Sequence, residues 1–219
     1  MPRPSRHLDR ALLVAGRELL PFHGCSGLTI RQVAEAANVN IGMFHYHFRT
    51  REIFLREVMQ GAYEEMFSQL TLGIARNAGF TANLRASLRV LGRFLLSNRP
   101  LVGRILTDAL GGEVIARDFL RDNLPRHVRV ILGLVKAGQS AGELRPMEPS
   151  QAFAFCAGAL AMPILMGGAL VDSGMVDATF ARDLRSAILT DEALDERIDL
   201  ALAAIAQPAA RPPRKGSPR

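Results

Sequence analysis

The stretch that constrains this chain most is residues 28–51, LTIRQVAEAANVNIGMFHYHFRTR. It predicts two short helices joined by a tight turn. Thr29 stands where an N-cap belongs and Gln32 follows three residues later, the spacing of a capping box. Ile30, Val33, Ala34 and Ala37 recur at helical spacing and form an inner face, with Ala34 small where a crossing helix must come close. Asn38 tolerates the left-handed conformation that stops the first helix. Val39 plugs the turn, and Asn40 caps the next helix. That is the chemistry of a helix-turn-helix.

The second helix, residues 41–48, is the informative one. Phe44 and Phe48 share a face and anchor it to a core. Ile41, Gly42, Met43, His45 and Tyr46 then point elsewhere. An isolated soluble helix does not normally expose Ile, Met and Tyr together. One reading packs them against a neighbouring helix. The other lays them in a DNA groove, where apolar tips meet thymine methyls, Tyr and His donate to phosphates or base edges, and Gly42 permits close approach. His45 and His47 are not a metal pair: two residues apart on a helix, they diverge by about 200°.

The run TIRQVAEAANVNIGMFHYHFRTREIFLREVM resembles the DNA-binding head of the TetR-like (tetracycline-repressor-like) transcriptional regulators. The likeness lies in Leu28-Thr29, Val33-Ala34, Ala37-Asn38-Val39, Gly42, Tyr46-His47-Phe48 and Thr50-Arg51-Glu52, about the first quarter of the chain. It implies groove-facing roles for Ile41, Gly42, Met43, His45 and Tyr46, and phosphate contacts for Thr29, Arg31, His47 and Arg51; Asn40 joins this DNA-binding set. Three positions depart from the family pattern. The family commonly has Lys at Ile41, Tyr at His45 and Lys at Arg51. Arg51 keeps a phosphate-binding charge, Ile41 loses one, and His45 brings a group that titrates near neutral pH.

The rest of the chain predicts an all-α protein: a three-helix head over residues 1–50, a helical ligand-binding and dimerisation body over 51–207, and a disordered basic tail over 208–219. Apolar residues make up 48% and lean to Ala and Leu, and Trp is absent, which favours helix over sheet. The net charge of +6 favours a polyanionic partner. Arg211, Arg214, Lys215 and Arg219 all lie in the tail, however, so the body is only mildly basic. Cys25 and Cys156 show neither metal spacing nor a disulfide framework and read as buried thiols of a cytoplasmic protein.

Helices are expected over residues 8–22, 50–76, 81–98, 102–110, 113–138 with Pro125 as a break or kink, 152–171 and 191–206. Residues 177–189 form an extra helix or turn. The stretch 152–171 carries no charge and is long enough to span a membrane. Its Ala and Gly content and Pro163 argue instead for a buried helix at a subunit interface. In the resembled family two C-terminal helices from each subunit form a four-helix dimer interface, which assigns this helix and the last one to that role; Leu194, Ile198, Ala201, Leu202 and Ile205 form the stripe of the last helix.

No catalytic constellation appears: neither a phosphate-binding glycine loop, nor a nucleophile elbow, nor a paired His motif. Arg104 with Asp108, or Asp108 with Glu113, reads as a helical ion pair or exposed face rather than an acid/base pair. No enzyme activity, cofactor or metal is expected. The resemblance implies a homodimeric repressor that binds a pseudo-palindromic operator in double-stranded DNA and is released by a small, mainly apolar effector. Candidate effector-contacting residues are Phe94, Arg104, Asp108, Phe119, His127, Phe155, Cys156 and Met162. The alternatives are a helical binding protein or enzyme with a repurposed head and no DNA affinity, and a membrane-associated protein resting on residues 152–171.

Overall fold

The computed structural model describes residues 6–74 and 79–208. Residues 1–5, 75–78 and 209–219 lie outside the described residues, and with them the expected basic arm, the expected end of the helix over 50–76 and the expected basic tail. Among the described residues the chain is all helix and turn, with no strand, as its composition implies.

Helix α1 (Arg6–Gly27) outruns its expected end at Phe22. Pro21 is tolerated, and the chain bends only at Gly24, at φ 70°, before one more turn. Helix α2 (Ile30–Ala36) begins with the expected capping box between Thr29 and Gln32. Asn38 adopts the left-handed conformation at φ 52°. Helix α3 (Ile41–Phe48) is capped by Asn40, whose side-chain oxygen accepts the Gly42 N–H at 2.8 Å. Helix α4 (Arg51–Leu72) follows, capped by Thr50. Phe44, Phe48 and Phe54 form an aromatic cluster with ring centroids 5.0–5.5 Å apart, so α3 is pinned to the first turn of α4.

The body continues with α5 (Phe80–Ser97), α6 (Arg99–Leu110), α7 (Val114–Ser140), α8 (Pro149–Met162), α9 (Gly168–Ser173), α10 (Ala178–Ile188) and α11 (Asp191–Ile205). Helix α6 starts three residues early because Pro100 sits in its first turn, where a missing N–H costs nothing. Pro125 lies inside a continuous α7 rather than ending it. Pro163 opens a π-helical turn, Pro163–Gly167, between α8 and α9. Glu143, in the turn after α7, caps the start of α5 by accepting the Thr81 N–H at 2.8 Å.

Two apolar clusters meet in the body. The first runs without a break from Leu12, Val33 and Phe44 in the head through Phe54–Leu70 of α4 to Leu101 and Ile105 of α6 and Phe119 of α7. The second joins α5, α7, α8 and α11 around Leu84, Ile131, Cys156, Leu160 and Ile198. Helices α5 and α11 are zipped by three ion pairs in register: Arg85 with Asp199, Arg89 with Asp195 at 2.7 Å, and Arg93 with Asp191 at 3.2 Å.

The apolar stripe of the last helix is therefore consumed inside the chain. Leu194, Ile198, Ala201, Leu202 and Ile205 are all buried against α5 and α8, so the stripe packs within the chain. The unpartnered apolar side chains lie instead on α8, α9 and their π-turn (Phe155, Met162, Met166, Leu170) and on α10, which has no buried residue and exposes Phe180. Pro149–Ser173 is long and apolar enough to cross a membrane by length and composition. One of its faces, through Ala152, Cys156, Leu160 and Ile164, belongs to the second cluster.

Candidate nucleic-acid interface and body cavity

The exposed face of α3 gathers most of the groove-facing residues expected from the sequence. Tyr46 is 64% exposed and Ile41 44% exposed. His45 and Gly42 are exposed beside them, and Met43 is half-buried. Phe44 and Phe48 are turned inward, so α3 divides into a buried face and an exposed one. His45 Nδ1 lies 3.3 Å from the Arg49 carbonyl at the end of the helix. Asn40 spends its side-chain oxygen on the cap, so its amide nitrogen is the part left for a groove.

The phosphate set is more divided. Thr29 and Arg31 are exposed at the start of α2; Thr29 serves the capping box, and Arg31 pairs with Glu35 at 2.8 Å. Glu35 raises the Arg31 pKa, first through that hydrogen bond. His47 is half-buried, and its Nε2 is sealed without a hydrogen-bond partner, so a phosphate contact requires its ring to turn. Arg51 does not face outward. Its guanidinium donates to the Cys25 carbonyl and, at 3.3 Å, to the Leu28 carbonyl, tying α4 to the end of α1. Those carbonyls have no helical partner, which gives Arg51 a structural task that its sequence position does not reveal. Sequence reasoning also passed over Arg49, an exposed cation immediately after α3 at φ 59°. Its backbone closes a three-residue turn, with the Thr50 N–H 2.6 Å from the Phe48 carbonyl.

Between α4, α5, α6, α7 and α8 lies a partly open cavity of about 260 Å³. Its wall is apolar, from Met59, Ala62 and Met66 through Leu88, Leu91 and Ile105 to Phe153 and Leu160. Tyr63, Asn123 and His127 are its polar members. Of the candidate effector residues, Phe94, Phe119 and His127 line it. The other five do not. Phe155 and Met162 point outward, 46% and 58% exposed. Cys156 is buried in the second cluster. Arg104 and Asp108 sit on α6 facing the end of α1: Asp108 accepts the Cys25 N–H at 2.7 Å, and Arg104 Nε lies 2.9 Å from the Asp108 carboxylate. Tyr63 and Asn123 were missed. The available signal was the i, i+4 spacing of Asn123 and His127 on α7, which places both on one face.

Burial holds the His127 imidazole neutral, depressing its pKa from 6.5 to about 4. Both thiols are free and buried. Burial, followed by the Glu113 and Asp108 carboxylates, pushes the Cys25 thiol up to about 12, and burial pushes Cys156 up to about 11. Neither is a resting nucleophile. Among the described residues no group of three or more His, Cys, Asp or Glu is placed to hold a metal.

Residues 12–58 match the family described as "Bacterial regulatory proteins, tetR family". No curated protein matches this chain. Solved structures agree in fold. A Clostridium perfringens protein provisionally described as a fatty acid metabolism regulator is 20% identical, with a TM-score of 0.69, covering 89% of this chain and 98% of its own. FadR of Bacillus subtilis, solved with stearoyl-CoA, is 14% identical with a TM-score of 0.66, covering 90% of this chain and 98% of its own. The ketosteroid transcriptional regulator KstR2 of Mycobacterium tuberculosis is 14% identical with a TM-score of 0.66, covering 94% of this chain and 98% of its own.

Proposed function

We propose, from a head that is tetR-like in sequence and a body that is TetR-like in fold, that this chain is a ligand-responsive DNA-binding transcriptional regulator. It acts in the cytoplasm as a homodimeric repressor on a pseudo-palindromic operator, and a small, mainly apolar effector releases it. The observation that carries the reading is the exposed face of α3, where Ile41, His45 and Tyr46 stand free while Phe44 and Phe48 fix the helix from behind. A face of this kind costs solubility unless it has a partner, and the major groove accepts a helix of this width.

The reading assigns base contacts to Ile41, Gly42, Met43, His45 and Tyr46, and phosphate contacts to Thr29, Arg31 and Arg49. Two heads must then lie about 34 Å apart, or a near multiple, to meet successive half-sites. The dimer forms through the unpartnered face of α8, α9 and α10, where Phe155, Met162, Met166 and Phe180 are exposed in the single chain.

The cavity supports the effector half of the proposal. Names of fold relatives point the same way, since one is solved with stearoyl-CoA and another is called a ketosteroid regulator. Helix α4 leads from the head into the cavity wall at Met59, Ala62 and Tyr63, and α6 carries Leu101 and Ile105 on the cavity side and Arg104 and Asp108 on the head side. A ligand that prefers a different placing of these helices lowers operator affinity by its differential binding energy.

The test is selection of bound duplexes from fragmented genomic DNA, followed by footprinting. Two protected half-sites related by a dyad are expected. Selection that enriches no sequence would overturn the proposal.

A further inference from the structure

The hydrogen bonds around Tyr63, Asn123 and His127 determine what the cavity can recognise. The Asn123 side chain is fully used: its amide nitrogen donates to the Gln60 side chain and the Phe119 carbonyl, both at 3.0 Å, and its oxygen accepts from Gln60 and Arg126, both at 3.1 Å. The Tyr63 hydroxyl has one proton, and the Asn123 backbone carbonyl 2.8 Å away can only accept, so that proton is committed there. Tyr63 therefore accepts at its second contact, 3.3 Å from His127 Nδ1, and the imidazole must carry its proton on Nδ1. That leaves Nε2 as a bare acceptor, with no hydrogen bond to the protein among the described residues. The remaining wall is apolar and holds no cation, because Arg126 is turned to Glu64 and stacks over Tyr63 and Phe67 outside it.

We infer that the cavity takes a small uncharged apolar molecule bearing one hydroxyl group, which donates to Nε2 of His127. The inference rests on the effector reading above. A carboxylate or a ketone finds no spare donor in this wall, and an anion finds no counter-charge. A cavity of 150 Å³ holds benzene, so about 260 Å³ suits roughly ten to twelve non-hydrogen atoms.

Three probes of similar size separate the possibilities in the full-length protein: 4-butylphenol, which donates; 4-butylanisole, which only accepts; and 4-butylbenzoate, which is charged. Calorimetric titration at pH 7 is expected to give the phenol about tenfold tighter binding than the anisole, the value of one hydrogen bond made in an apolar site, with the benzoate weakest. His127→Phe should abolish the phenol's advantage over the anisole. Nitrogen NMR of the wild-type imidazole should find the proton on Nδ1, a readout that does not depend on a variant folding. Anisole or benzoate binding as tightly as the phenol, or a proton on Nε2 of His127, overturns the inference and leaves the effector site standing. If none of the three binds, the inference falls together with the effector reading of the cavity.

Discussion

The carboxylate of Asp108 accepts the backbone N–H of Cys25 at 2.7 Å, from a residue only 7% exposed. Two helices far apart in sequence are joined there. Gly24, at φ 70°, turns the chain so that the Cys25 N–H faces α6, and a Cβ at Gly24 would collide with the Arg104 guanidinium. Arg104 lies against Asp108, and Arg51 reaches the Cys25 carbonyl from α4. The end of α1 is thus held by α4 and α6, two of the five helices that wall the cavity.

Asp108→Ala should leave a buried N–H without a partner and Arg104 without its counter-charge. A loss of about 2–3 kcal/mol in urea-induced unfolding is expected, since an unsatisfied buried donor alone costs about 1–3 kcal/mol. Asp108→Asn keeps an acceptor and should lose less. Equal stability of all three proteins would show that the joint contributes nothing.

Arg51→Ala should destabilise the protein by about 1–2 kcal/mol, because two carbonyls lose a charged donor. Its operator binding should keep the wild-type salt slope. A slope reduced by about one phosphate, with unchanged unfolding, would place Arg51 on the DNA backbone instead.

Tyr46→Ala should leave stability within about 0.5 kcal/mol, as expected of an exposed side chain, and change which duplexes are selected. Met43 is half-buried, so Met43→Ala should alter both stability and sequence preference. An equal loss of affinity on every duplex would assign Met43 to packing.

His127 sets a pH dependence. The unfolded chain binds a proton near pH 6.5, whereas the folded imidazole resists it until about pH 4. The folded state binds fewer protons in that window, so stability present above pH 6.5 declines as pH falls toward 4. The full loss is about 3 kcal/mol. Denaturant midpoints measured across pH 4–7 should fall for the wild type and flatten for His127→Phe.

The helix-turn-helix was readable because its signals are local. Thr29, Gln32, Asn38 and Asn40 act on backbone within four residues, and Phe44 and Phe48 declare their face by spacing alone. The Arg104–Asp108 helical ion pair was legible from its spacing, but the bonds of Arg51 and Asp108 to the end of α1 were not, because those partners are 26 and 83 residues away. A charged residue on an amphipathic helix gives no local sign that a distant chain end will need it. The same holds for the cavity. His127 could be named a candidate from the sequence, but Tyr63 acquires its role only when α4 crosses α7. The stripe of α11 was legible as a stripe; what it packs against was not, since the same pattern serves an internal neighbour or a second subunit.

Sequence-specific DNA binding by the head is the property on which the proposed regulator depends. The direct measurement is the affinity of the full-length protein for its selected duplex and for a shuffled duplex of equal length, from 50 to 200 mM salt. A preference of about 10³-fold or more for the selected duplex is predicted, with affinity falling as a power of salt concentration for both. Equal, weak binding to the two duplexes at every salt concentration would contradict it.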